Sequence, residues 1–258
     1  MLFRSAFLFN TNFIYSDLTG VNLEGANLNG AILEGILTGV RSGNTVGAPS
    51  YLPGEWTFQN GYLIGPGATL IDANLQDAYL GWVNLTGANL YGANLKQAHL
   101  EGAILTGVKS GGLLGMPSSL PDGWVLYAGY LVGAGADLQG AILTGAYLDG
   151  INLEGARLEA ANLDFANLIG ANLRGVSAGG ASLFGANLVF ANLYEANLVG
   201  VNLNSADLSM ASLSLADLSF ANLSNSNLSF ADLSFANLQD ARLEGAYMSG
   251  ANFTGATW

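Results

Sequence analysis

Apolar residues recur every five positions along most of the chain. A small residue, usually alanine, precedes asparagine or aspartate and then leucine, as in Ala161-Asn162-Leu163 and Ala166-Asn167-Leu168. With leucine as position i, extended backbone places i−2 and i on one face and i−1 on the other. The pattern predicts short extended sides whose alanine and leucine enter a core. The two remaining residues of each repeat turn a corner.

The five-residue frame covers residues 3–33, 70–105 and 138–258, which contain 40 central positions. This A(N/D)LXX pattern resembles the pentapeptide-repeat family. The resemblance implies that four sides close a coil of twenty residues. We therefore expect an all-β protein, a right-handed quadrilateral parallel β-helix of about ten coils. Residues 1–258 would form a single solenoid domain, because repeats of this kind bury their core between neighbouring units.

Two segments interrupt the frame and are copies of one another. Residues 36–70 and 104–138 share 20 identities in 35, including an LP..W....GYL motif that is similar to pentapeptide-repeat proteins of photosynthetic bacteria. We place the inserted modules at 38–67 and 106–135. Each is expected to leave and re-enter the solenoid at a corner and to project from it.

Each module contains the signature of a β-hairpin. Asn60-Gly61, between two apolar runs, is a strong type I′ turn signal, and Ala128-Gly129 is the weaker equivalent in the second copy. The aromatic residues of the modules have two interpretations, as small local cores or as a docking surface, because loops often carry function. These residues are Trp56, Tyr62, Trp124 and Tyr130.

Position i+2 is usually glycine, which suits a corner because glycine adopts strained backbone angles at little steric cost. Bulky residues replace it between 190 and 235. Phe190, Met210 and Phe230 are twenty residues apart and form one outward column, while Leu215 and Phe235 lie on the next face. Either these side chains fold over the corners and shield backbone, or they form an exposed apolar strip that binds a partner or a second copy.

Composition narrows the possible partners and compartment. The 19 acidic residues exceed the 7 basic ones, giving a net charge of −12, which argues against direct nucleic-acid binding. No apolar run approaches the roughly 18 residues that a membrane-spanning helix needs. The chain has no cysteine, and Met1–Asn10 lacks the features of a signal peptide. We expect a cytoplasmic protein with no membrane span.

Candidate catalytic residues find no partners in the sequence. Ser177 lies in a GxSxG match, but the frame places it at i−1 of a side and not on a strand-to-helix elbow. The single histidine, His99, also occupies i−1. The aspartates Asp207, Asp217 and Asp232 are too far apart in the repeat to form a calcium cage. We expect no enzyme activity, no cofactor and no metal site.

Two functional interpretations remain. The favoured one is a noncatalytic scaffold that presents its hairpins and its apolar strip to an unidentified protein partner. The alternative follows from family members that protect DNA gyrase, a type II topoisomerase, by mimicking DNA with an acidic rod. Bare coil ends expose core residues and unpaired backbone, so we expect either end-to-end homodimerisation or truncation from a longer chain.

Overall fold

The computed structural model describes residues 3–258 and is built from short parallel sides. The chain divides into two compact units, Met1–Asp122 and Gly123–Trp258. Within each unit the residue at i−1 usually pairs in parallel with the residue twenty positions later, as Asn167 does with Asn187 and Asn187 with Asp207. The fold is a right-handed quadrilateral parallel β-helix, as predicted. The single domain and the coil count stay predictions.

Backbone hydrogen bonds join each side to the coils before and after it. The Leu188 N–H donates to the Asp207 carbonyl at 2.7 Å, and the Asn187 N–H donates to the Ala166 carbonyl at 2.9 Å. At the next corner the Ala191 N–H donates to the Leu188 carbonyl at 2.9 Å. These bonds use the polar groups that burial would otherwise leave unsatisfied. A side of three residues can therefore be stable within the stack.

The core is formed by the leucines at i and the small residues at i−2. Leu163, Leu188 and Leu213 have no solvent exposure, and the alanines between them are almost fully buried. A gap of about 10 Å³ inside the second unit has no room for a ligand. Across residues 3–258 no helix has the length and apolar character needed to cross a membrane.

Asparagines at i−1 lie on the outside, as expected from the sequence, and they form hydrogen-bonded ladders there. Asn172 Nδ2 donates to Asn152 Oδ1 at 3.0 Å, and Asn192 Nδ2 donates to Asn172 Oδ1 at 3.1 Å. The same oxygens also accept backbone N–H groups two residues onward, for example from Glu154 to Asn152 at 3.1 Å. The asparagine therefore both links neighbouring coils and holds the turn that follows it.

The coil continues further than the sequence predicted. Ile36, Arg41, Val46 and Tyr51 pair in parallel with residues 19 positions earlier. One residue is missing from the corner at Gly35, where a Cβ would lie 2.2 Å from the Ser16 carbonyl oxygen. This slip hides the repeat, because the positions that follow no longer fit the five-residue frame.

Much of each predicted module is therefore coil. In the first, 38–67, parallel pairing includes Arg41, Val46 and Tyr51; in the second, 106–135, it includes Lys109, Leu114 and Ser119. The hairpins occupy only the later part of each module. The modules are thus one stretch of irregular coil followed by one hairpin, and not insertions throughout.

Both predicted hairpins are present. Strands β1 (Thr57–Gln59) and β2 (Tyr62–Ile64) are antiparallel, and so are β3 (Val125–Tyr127) and β4 (Tyr130–Val132). The two-residue turns have positive φ at both positions, 52° and 79° at Asn60-Gly61 and 47° and 80° at Ala128-Gly129. Two positive φ angles are the requirement of a type I′ turn, so the prediction is confirmed in both copies.

The first hairpin does not project from the solenoid as expected. Its β2 residues Leu63 and Ile64 have no solvent exposure, and the Leu63 N–H donates to Ser42 Oγ at 2.8 Å. On its other side the Gln59 side chain pairs with backbone groups of Tyr79. The hairpin lies between the coil before it and the coil after it, because its apolar face joins their core.

Candidate interaction surfaces

The corners hold their i+2 residues in the left-handed backbone region. Phe190, Met210 and Phe230 have φ near 60°, a conformation that usually favours glycine. The Phe230 ring leans toward the coil that follows, and so does that of Phe235 at the next corner. A Cβ on Gly250 would lie 2.6 Å from the Phe230 ring, and one on Gly255 would lie equally close to Phe235. A bulky corner residue therefore covers the corner twenty residues later.

These corner side chains nevertheless stay largely exposed. Phe190 is 60% exposed, Met210 49% and Phe230 64%, and all three lie in one column. Leu215 and Phe235, 47% and 61% exposed, form the column at the next corner. We call these five residues the apolar columns. They both cover backbone and present apolar surface, so the two interpretations of the sequence are not exclusive.

The apolar columns border a polar side of the coil. Between them lie the i−1 residues Asn192, Ser212 and Asp232, which pair in parallel along the stack. Phe220 and Phe165 are similarly exposed, both 61%, but occupy other corners. The arrangement gives one face two apolar ridges with a hydrogen-bonding floor between them. Such a face can accept apolar side chains and backbone groups together.

The aromatic residues of the hairpins are packed rather than presented. Trp56, Tyr62, Trp124 and Tyr130 are all half-buried. The Tyr62 hydroxyl accepts the Asn74 N–H at 3.1 Å. Both indoles are pressed against a glycine of their own module, because a Cβ on Gly65 or Gly133 would lie 2.4 and 2.3 Å from the ring of Trp56 or Trp124. Only their outer edges can contact a partner.

Trp82 is a candidate contact residue that the sequence analysis missed. It lies at a corner of the first unit, with φ of 62°, and is 80% exposed. It lines a groove of about 340 Å³ together with Trp56 and Ile104. The signal was available, because tryptophan replaces the usual glycine at an i+2 position. The predicted outward apolar residues covered only the corners from 190 to 235.

Arg157 and Arg174 of the second unit are paired with acids. Arg157 lies 3.4 Å from Asp137 and 3.7 Å from Glu159, whereas Arg174 lies 3.2 Å from Glu154. Burial raises the pKa of Glu159, but its own backbone N–H, Ser177, Gln139 and Arg157 more than offset this, so the pKa is lowered overall. These groups form local pairs on the surface of the coil.

The acids that follow belong to the ladders. Asp207, Asp217 and Asp232 accept hydrogen bonds of 2.9–3.1 Å from asparagines one coil later. Each also accepts a backbone N–H two residues onward. Their carboxylates therefore have structural partners on the coil. Among residues 3–258 no group of three or more His, Asp or Glu side chains could hold a metal ion.

The residues considered for catalysis are also ladder positions. The His99 ring stacks on Tyr79, with centroids 5.0 Å apart and planes 6° from parallel. Ser177 pairs in parallel with Arg157 and Asn197, and its hydroxyl donates to Glu159 Oε1 at 2.9 Å. The frame placed both at i−1, and their pairing confirms that placement.

The five-residue repeat of this chain matches a known protein family. Eight copies of the model for pentapeptide repeats match this chain, over residues 3–36, 67–109, 134–175, 161–198, 181–219 and 216–255. The chain belongs to the pentapeptide-repeat family. Pentapeptide-repeat proteins are generally noncatalytic. No curated protein sequence matches the chain.

Solved pentapeptide-repeat structures resemble this chain over much of its length. HetL of the cyanobacterium Nostoc sp. strain PCC 7120, a protein involved in heterocyst differentiation regulation, is 29% identical, with coverage of 95% of this chain and 90% of HetL and a TM-score of 0.33. A pentapeptide repeat protein of the cyanobacterium Cyanothece 51142 is 24% identical, with coverage of 66% and 90% and a TM-score of 0.25. QnrB1, a plasmid-mediated fluoroquinolone resistance protein, is 16% identical, with coverage of 73% and 90% and a TM-score of 0.27.

Proposed function

We propose that this pentapeptide-repeat protein is a noncatalytic cytoplasmic scaffold that binds another protein through the apolar columns. The observation that carries the proposal is that Phe190, Met210 and Phe230 are exposed at the same corner of successive coils. Apolar side chains aligned in this way are typical of interaction surfaces, because soluble monomers seldom leave such patches bare. The rigid coil beneath them fixes their spacing before the partner arrives.

The geometry suits recognition by preorganisation. Each ring projects from a backbone that is hydrogen-bonded to both neighbouring coils, as Phe190 N–H is to the Ser209 carbonyl at 3.1 Å. Binding of a partner therefore costs little conformational entropy on this protein's side of the interface. The first hairpin has a smaller role than the sequence suggested, because most of its aromatic surface is already packed against the coils.

Affinity capture with matched variants tests the proposal. The triple variant Phe190→Ser, Met210→Ser and Phe230→Ser removes one column, whereas Phe165→Ser with Phe220→Ser removes equally exposed rings from other corners. We expect a partner that is retained by the wild type and by the control, and lost from the triple variant. Circular dichroism would confirm that both variants keep the coil, since serine is tolerated at the corner of Ser205.

The outcomes separate the possible partners. Equal retention of every protein by all three forms would contradict the proposal. Retention of a type II topoisomerase would instead support the DNA-mimic alternative. Sedimentation velocity of the purified forms tests the second-copy version, in which the wild type and the control associate and the triple variant is monomeric. Association that survives in the triple variant would point to the coil ends.

A further inference from the structure

A groove in the first unit combines two indoles with the acidic side chain of Glu55. Its floor and walls are formed by the hairpin segment 54–57 and by coil residues, and its volume is about 340 Å³. Trp56 closes one side as part of the hairpin, while Trp82 and Ile104 come from the coils. The groove forms because the hairpin lies between coils. The turn that precedes β1 lies beside the outer surface of these coils.

The second indole is held in place by the coil beneath it. A Cβ on Gly102 would lie 2.6 Å from Trp82 Cδ2 and Cε3, so the indole rests on this glycine. The backbone N–H of Trp82 also donates to the Glu101 carbonyl at 2.9 Å. One face of the indole is therefore covered by the next coil, and the residue remains 80% exposed to solvent.

One carboxylate lines the groove, and a second lies beside Gly81, outside the lining of the groove. Glu55 lines the groove. Glu101 lies against the residue before Trp82, because a Cβ on Gly81 would be 2.7 Å from Glu101 Oε1. Ser119 Oγ donates to Glu101 Oε2. Hydrogen bonds from Ser119 and from its own backbone N–H lower the pKa of Glu101, so it is ionised at neutral pH.

The exposed face of Trp82 and the outer edge of Trp56, beside the Glu55 carboxylate, are complementary to a cation with a flat, weakly hydrated surface. A guanidinium group stacks on indole and pairs with carboxylates, whereas an ammonium group is a compact and strongly hydrated charge. Arginine and tryptophan are also enriched together in protein interfaces. We propose that this groove binds the guanidinium group of an arginine side chain presented by an extended segment of another protein.

The second module provides an internal comparison. In the coil that follows it, Gly150 occupies the position equivalent to Trp82, and Asn172 the position equivalent to Ile104. The second hairpin has Trp124 at the position of Trp56, although glycine stands at the position of Trp82. The tryptophan of the hairpin is therefore present without a second indole from the following coil. The proposed site is therefore a property of the first copy alone, and Trp82→Gly gives this one position the residue of the second copy.

The test uses two peptides that differ in one charge. Acetyl-Gly-Arg-Gly-amide and its isosteric citrulline analogue are titrated to millimolar concentration into the full-length protein labelled with nitrogen-15. The four tryptophans give four indole N–H signals, assigned by substitution. We expect a saturable shift of the Trp56 and Trp82 signals with the arginine peptide, at an affinity about 2- to 5-fold above that of the citrulline peptide.

Variants locate the effect. Trp82→Gly should abolish the saturable shift of Trp56, and Glu55→Gln should weaken arginine binding without changing the citrulline result. Trp258→Gln is the control and should bind like the wild type. Equal affinity for the two peptides, no saturable shift, or a shift that persists in Trp82→Gly would overturn the proposal. Because the apolar columns are unchanged in all these proteins, failure here leaves the scaffold proposal intact.

Discussion

The first hairpin, β1–β2, and the second, β3–β4, bury equivalent residues and hold their turns differently. Leu63 and Ile64 in the first, and Leu131 and Val132 in the second, have no solvent exposure. In the first turn, Gln59 and Asn60 both bond to the following coil, Gln59 to the Tyr79 backbone at 2.5 and 2.8 Å. The Asn60 amide lies 3.1 Å from the Gln76 carbonyl oxygen and 3.4 Å from that of Asn74.

The second turn reaches its coil with a different group. Tyr127 replaces Gln59 and donates its hydroxyl to the Thr144 carbonyl at 3.3 Å, and Ala128 replaces Asn60. Both turns nevertheless have the same backbone conformation. The comparison shows that burial of β2 or β4 fixes the position of the hairpin. The polar side chains of the turn then adjust how firmly its outer end is attached.

The largest expected effect is the same in both copies. Leu63→Ala and Leu131→Ala should each lower the free energy of unfolding by about 2–5 kcal/mol, because each leaves a cavity in the core. Val125→Ala is the control, since Val125 is partly exposed at the start of β3; its cost should be within about 0.5 kcal/mol. Guanidinium unfolding followed by circular dichroism measures all three.

A loss of stability in only one of the two leucine variants would contradict the equivalence of the two hairpins. It would mean that one hairpin is held mainly by its turn and not by its buried strand. Hydrogen exchange measured by mass spectrometry would then locate the opened segment, because local and global opening differ in the amides they expose.

A smaller effect should distinguish the copies. Gln59→Ala removes two hydrogen bonds and leaves the Tyr79 N–H without this acceptor, so we expect a loss of about 1–3 kcal/mol. Tyr127→Phe removes one bond and should cost about 0.5–1.5 kcal/mol. Amide exchange at Tyr79 should accelerate in the first variant, while the exchange of β3–β4 changes little in the second. Equal effects would contradict the difference in attachment.

The smallest expected effect is a gain. Ala128→Asn places asparagine at a positive φ, where it is better tolerated than alanine, and should raise stability by about 0.5–1 kcal/mol. The reverse change, Asn60→Ala, should cost more than that gain because it also removes the bond to Gln76. Thermal unfolding of the two variants gives the comparison. A destabilising Ala128→Asn would show that the second turn has no room for the amide.

The regular coil was predictable because its determinants are local. Alanine, asparagine and leucine at fixed positions specify which residue is buried, which one joins the ladder and where the corner falls. The type I′ turn of Asn60-Gly61 is local in the same way. These features of the fold are confirmed by the parallel pairing and by the hairpin strands.

In the first module the irregular coil was hidden from the sequence by one missing residue and by two atypical centres. The slip at Gly35 moves the frame, and Ser42 and Gly47 then stand where leucine is usual. Ser42 is buried and is needed as the acceptor of the Leu63 N–H. That contact joins residues 21 positions apart, so no five-residue pattern could reveal it. The hairpin's place between coils depends on such contacts.

The candidate surfaces were predictable only in part. The spacing of Phe190, Met210 and Phe230 places them in one column, but their exposure depends on how each side chain packs at its corner. The groove at Trp82 depends on the position of the hairpin beside it. A sequence frame predicts where a side chain leaves the coil, whereas its surroundings are decided by packing between distant segments.

The twenty-residue pairing distance also governs how the surface responds to changes in length. Loss of five residues would remove one side and carry every later side chain a quarter-turn around the axis, with the core pattern intact. Such a deletion between Phe190 and Met210 would place these two side chains on different faces. Loss of twenty residues would only shorten the column. A change in the number of five-residue repeats can therefore change which side chains are neighbours on the outside of this protein, while its interior stays unchanged.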